Sequence, residues 1–201
     1  LSVSIGMTYY DGYDDISLDT LIKQADTAMY HIKEKGKDGF CVYTKEMDTK
    51  ALRKVLLEKE LRKALKNEEF ILEYQPIVEI ESGKIVAMES LVRWNHPRMG
   101  RIAPGEFIGL AEETRLIISL GEWILREACA QCKYWQKQGF ASIKVTVNVS
   151  FVQLRQSDKF IKDIKNILDE TGLAPKWLEL EITETVLMEN EEAFISTLQK
   201  I

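Results

Sequence analysis

Apolar and polar residues are arranged along the chain in two alternating rhythms. Val3, Ile5 and Met7 fall at every second position, which predicts a strand. The turn-forming run Asp11-Gly12-Tyr13-Asp14-Asp15 follows. Leu18, Leu21, Ile22, Ala25, Met29 and Ile32 then recur at helical spacing, with Ser17 placed to cap the start. Lys33 and Lys35 sit in the last turn, Gly36 stops it, and Phe40-Cys41-Val42-Tyr43 predicts a short closing strand. Leu52, Leu56, Leu57, Leu61, Ala64 and Leu65 mark a charged helix that links this segment to the rest.

Beyond it, strands are predicted over 70–78, 85–94, 143–149 and 177–183, with a turn at Glu81-Ser82-Gly83-Lys84. Helices are predicted over 104–111, 116–138, 160–170 and 191–201; Gly139 ends the second and Gly172 the third. Strands alternating with helices argue for βα units and a mostly parallel sheet, hence an α/β fold. A closed (β/α)8 barrel has about eight strands and typically about 250 residues, so the pattern matches part of one. Two parts are expected: a short α+β segment over 1–46, too small to stand alone, and an α/β portion over 47–201. Both termini read as lying inside longer elements.

Composition narrows the function. Of 201 residues, 45% are hydrophobic and 29% charged, which is ordinary for a globular chain. A net charge of -5 means that the global field does not draw a DNA or RNA polymer; a small anion would need local positive charge. No apolar run is long enough to span a membrane, so no membrane contact is expected within this segment. Cys41, Cys129 and Cys132 are an odd, sparse set, expected of a reducing cytoplasmic setting. Cys129 and Cys132 form a C-x-x-C, but within a helical window and without a second pair, so small residues on a helix face is the preferred reading over zinc or redox chemistry.

Candidate chemistry collects at strand ends, where parallel α/β folds place their sites. Gln75, then Glu89 with Arg93, then Asn148, then Glu181 with Glu184 occupy those positions. Glu89 and Arg93, four apart in a strand, share a face. Carboxylates and a carboxamide are hard oxygen donors that suit Mg²⁺ or Mn²⁺ rather than zinc. Each has a bland alternative: Asn148 could cap the next helix, and Glu181 and Glu184 could be solvated strand ends.

Met88-Glu89-Ser90-Leu91-Val92-Arg93-Trp94 resembles the signature of EAL domains, the bacterial cyclic-di-GMP phosphodiesterases, with Ser90 where the family name has alanine. Tyr74-Gln75-Pro76-Ile77-Val78, His96-Pro97, Gly100, Pro104, Phe107-Ile108, Ala111-Glu112, Asn148-Val149-Ser150 and Glu181-Ile182-Thr183-Glu184 extend the likeness over residues 50–201. Val3-Ser4-Ile5-Gly6 and Ala25-Asp26-Thr27-Ala28-Met29-Tyr30, continuing to Lys33, Gly36 and Lys37, resemble the carboxyl end of GGDEF (diguanylate cyclase-like) domains, although no Gly-Gly-Asp-Glu-Phe run occurs. The resemblance implies a partial TIM-like (β/α)8 barrel of the EAL type behind a GGDEF remnant. It also implies hydrolysis of cyclic-di-GMP to linear pGpG with two divalent ions. Glu89, Asn148 and Glu181 match the family's metal ligands, with Glu184 the alternative if the register slips. Arg93 matches the phosphate-gripping residue, and Gln75 and Leu91 match positions lining the cleft. Glu112 is expected to be structural, in a helix away from the other strand ends.

The family's aspartate pair, lysine and glutamate base follow later strands; after Glu184 the acids are Glu189, Glu191 and Glu192. The chain alone is therefore expected to turn over little cyclic-di-GMP. A silent cyclic-di-GMP receptor and a dimerisation module are the alternatives. A homodimer is expected, because part of a barrel exposes strand edges. A cytoplasmic location is expected too, with any sensory or anchoring segment upstream of Leu1.

Overall fold

A computed structural model describes residues 2–13, 15–34, 38–140 and 143–182. Its contacts divide the chain into Leu1–Lys59 and Glu60–Ile201. In the first unit, strands β1 (Ser4–Met7) and β2 (Gly39–Val42) pair in parallel, joined by helix α1 (Leu18–Glu34). Ser17 caps α1 as its position predicts, accepting from the Thr20 amide at 3.2 Å. Gly6 lets β1 lie directly on α1: a Cβ there would run into the Ala25 carbonyl and the Met29 amide. Helix α2 (Lys45–Ala64) continues past the boundary in sequence.

The second unit contains β3 (Phe70–Val78), β4 (Ile85–His96), β5 (Gly100–Ile102), β6 (Lys144–Asn148) and β7 (Leu178–Glu181), in the sheet order β3-β4-β6-β7 with β5 also on β4. Helices α3 (Pro104–Glu113), α4 (Ile117–Lys137), α5 (Phe151–Leu154) and α6 (Ser157–Thr171) intervene. The sheet is mixed, which corrects the expectation of a mostly parallel one. β4, β6 and β7 are parallel, but β3 and β5 run antiparallel to β4. The reason is loop length. The turn after β3 is closed by Glu79 and Lys84, with Gly83 at φ +66°, and a parallel return needs a dozen or more residues. Pro76 is tolerated in β3 because β3 is the terminal strand in that order and needs no second ladder.

Alternation assigns the two faces of the sheet. Phe70, Tyr74 and Trp94 point to the helical side. Phe70 lies 6.1 Å from Trp123 of α4 and Tyr74 4.7 Å from Trp135; Trp94 meets Phe107 of α3 edge-on at 5.6 Å. Val145 and Val147 complete this core. The opposite face carries Glu73, Gln75, Glu89, Leu91, Arg93, Thr146, Asn148, Glu179 and Glu181, all linked by register. Among the described residues, no helix is long and apolar enough to cross a membrane.

Cys129 and Cys132 are free thiols buried in α4, as the reading of small helix-face residues predicts. Burial pushes the Cys129 thiol up to about 12, so very little of it is thiolate at pH 8. In the native protein, iodoacetamide is expected to leave Cys129 and Cys132 unlabelled and to modify half-buried Cys41, with all three labelled in denaturant. Peptide mass spectrometry checks this, and prompt native labelling of Cys129 would contradict the packing.

Candidate active site

Four of the sequence-selected residues meet on the open face of the sheet. Glu89 lies opposite Gln75 on β3 and beside Thr146 on β6. Asn148 is two residues beyond Thr146, on the same face, and its Nδ2 donates to Glu89 Oε1 at 2.8 Å. Glu181 is the register partner of Asn148 on β7. Glu184 and the predicted helix over 191–201 lie outside the described residues.

The segment after Asn148 is clamped on three sides. The Val149 amide donates to the Glu181 carbonyl at 2.8 Å. Ser150, not Asn148, caps α5: its Oγ accepts from the Val152 amide, while Gln153 Oε1 accepts from the Ser150 amide at 3.1 Å. The capping alternative for Asn148 is thereby excluded, and its side chain is left to Glu89. Gln153 is buried where α4 has Gly121; a Cβ at Gly121 would strike its carboxamide. Ser150 Oγ also donates to Glu112 Oε1 at 2.6 Å.

That last bond corrects the reading of Glu112. The residue is not remote from the strand ends. It lines a cavity of about 490 Å³ together with Leu91, Arg93, Asn148 and Ser150, against an apolar wall that includes Pro104 and Ile108. Gln75, Glu89 and Glu181 are outside that lining. Arg93 reaches it while its Nε donates to Glu73 Oε2 at 2.9 Å. Glu73 is a site-face residue that the motif reading passed over. The signal was present, since Glu73 lies two positions before Gln75 in a strand and so shares its face.

The donor chemistry on this face fits a hard divalent cation. Two carboxylates and a carboxamide oxygen are borne by adjacent strands, and Thr146 Oγ1, of the residue beside Glu89 on the same face, is buried without a hydrogen-bond partner among the described residues. Among the described residues no three His, Cys, Asp or Glu side chains converge as a metal cage.

The family model for the EAL domain matches residues 58–201. The chain belongs to the EAL-domain family. Over all 201 residues it is 37% identical to the bifunctional diguanylate cyclase/cyclic di-GMP phosphodiesterase MucR of Pseudomonas aeruginosa, covering 29% of that protein. It is 37% identical over 199 residues, 99% of the chain, to the cyclic di-GMP phosphodiesterase PdeR of Escherichia coli, again covering 29% of that protein. The chain thus spans less than a third of the length of these curated relatives. The solved complex of the PaMucR phosphodiesterase with c-di-GMP superposes with a TM-score of 0.69 at 38% identity, over 72% of this chain and 58% of that one. The cGMP-bound EAL enzyme Bd1971 gives 0.68 at 25% identity, over 90% of this chain and 47% of that one. The α/β fold of this EAL domain is accordingly of the EAL type.

Proposed function

We propose that the whole protein containing this EAL domain hydrolyses one phosphodiester of cyclic-di-GMP to give linear pGpG, using two Mg²⁺ or Mn²⁺ ions. The observation that carries this reading is the convergence of Glu89 and Asn148, with Glu181 in register, on the open sheet face beside the Arg93-lined cavity. Bound cations would supply Lewis-acid activation of water and neutralise charge on the leaving oxygen. Glu89, Asn148 and Glu181 would hold them. Asn148 fixes the Glu89 carboxylate, and the clamp on Val149 and Ser150 fixes Asn148. Arg93 offers a planar fork suited to a phosphate, Leu91 an apolar wall, and Gln75 a carboxamide beside Glu89.

Residues 47–201 would form part of a TIM-like barrel, preceded over 1–46 by the carboxyl end of a GGDEF domain. MucR supports this, because it aligns over all 201 residues and its name pairs a cyclase with a phosphodiesterase. The protein is proposed to work in the cytoplasm, and this chain to pair with a second copy, because part of a barrel exposes strand edges. By itself the chain is proposed to turn over little, because residues 1–201 do not include the aspartate pair, lysine and glutamate base that the family resemblance implies.

The whole protein with Mn²⁺ or Mg²⁺ is expected to convert cyclic-di-GMP to pGpG, resolved by anion-exchange chromatography, and to stop when EDTA is added. Calorimetric binding of cyclic-di-GMP without product would favour a silent receptor; neither binding nor product would end both readings.

A further inference from the structure

Glu73 stands between two guanidiniums. Its Oε2 accepts from Arg93 Nε at 2.9 Å, and its Oε1 pairs with Arg101 Nη2. The topology makes this arrangement unusual in reach. Glu73 is on β3 and Arg101 on β5, which flank opposite edges of β4, so Arg101 crosses β4 to arrive there. Arg101's hydrogen bond, seconded by that of Arg93, holds the Glu73 carboxyl below the usual carboxylate range, so it is ionised at neutral pH.

Two bonds hold the Arg93 guanidinium. Nε is spent on Glu73 and Nη1 on the Val92 carbonyl at 3.0 Å, leaving Nη2 without a partner among the described residues. Arg93 lines the cavity while held by these two bonds. This anchoring has an electrostatic drawback. A carboxylate paired with Arg93 alone would cancel the charge that an anionic ligand needs. Arg101 offsets this: the three side chains together carry one net positive charge, set against the single Glu112 carboxylate on the cavity lining.

We propose that Glu73 is a positioning residue that aims Arg93 into the cavity, and that Arg101 offsets its charge so that the rim still attracts a phosphorylated ligand. This rests on the reading that the cavity takes such a ligand. It adds two residues that none of the family motifs above includes.

The test exploits charge balance. Arg101→Gln leaves a neutral Glu73–Arg93 pair; Glu73→Gln with Arg101→Gln restores the net charge and keeps an oxygen to accept from Arg93 Nε. Dissociation constants for cyclic-di-GMP and, in parallel, inorganic pyrophosphate are measured by calorimetry on the whole protein, with thermal melts checking that each variant is folded. Arg101→Gln is expected to weaken binding about three- to fivefold and to flatten its salt dependence, and the double variant to recover most of the loss. A purely structural role for Arg101 predicts no such recovery. Unchanged affinity in Arg101→Gln, a double variant no better than the single one, or a wild type that binds neither anion overturns the proposal. The pattern with pyrophosphate alone would uphold it while removing cyclic-di-GMP as the ligand. Cyclic-di-GMP binding without the pattern would overturn it and leave the phosphodiesterase reading intact.

Discussion

Trp94→Ala is expected to lower stability by about 3–5 kcal/mol, enough to threaten the fold of the second unit. Trp94 is fully buried, and its ring meets Phe70 at 5.8 Å, Phe107 at 5.6 Å and His96 at 5.7 Å. Removing it empties the joint between β4 and α3. A second cost is polar. Trp94 Nε1 donates at 2.8 Å to Glu69 Oε2, a nearly buried carboxylate whose other oxygen is held by Asn67 at 2.9 Å. Loss of the indole leaves that oxygen without its donor. Trp94→Phe separates the two effects: it refills much of the volume but not the N–H, and should cost about 1–3 kcal/mol. Urea titrations of both variants check the order. Equal losses would mean that the hydrogen bond, not packing, dominates.

Glu89→Gln is expected to reduce cyclic-di-GMP hydrolysis by the whole protein about a hundredfold or more while leaving the melting temperature unchanged. Glutamine keeps an oxygen to accept from Asn148 Nδ2, so the local bond survives. What disappears is the negative charge that a divalent cation requires. Mn²⁺ affinity, read by calorimetry, should fall with the activity. Wild-type turnover in this variant would remove Glu89 from the reaction, and with it the proposed site.

Elements set by local pattern were legible in the sequence. The 3.6-residue stripe of α1 and the alternation in β1 state their own periods, and Ser17 announces a helix start. The mixed character of the sheet was missed because the general alternation of strands and helices outweighed a specific fact, the short turn between β3 and β4. β5 is three residues long and gives no periodic signal. In the candidate site, residues carried by one strand were legible, since Glu89, Leu91 and Arg93 share a face by arithmetic. Glu112 was not. Its place depends on a bond to Ser150, distant in sequence, and a glutamate in the last turn of a helix looks solvated until α5 is brought against it. Arg101 is hidden for a similar reason: nothing local indicates that its side chain crosses a strand to reach Glu73.

The antiparallel hairpin of β3 and β4 bears on how the sheet assembles. Closing its turn costs little loop entropy, and hairpins form in about 1–10 μs. β6 can join β4 only after the intervening α3 and α4 have been gathered in, a non-local step of the kind that slows folding. Glu73, Gln75, Glu89 and Arg93 all belong to the hairpin, so this half of the candidate site is expected to form in the most local event. Asn148 and Glu181 are expected to join that template later.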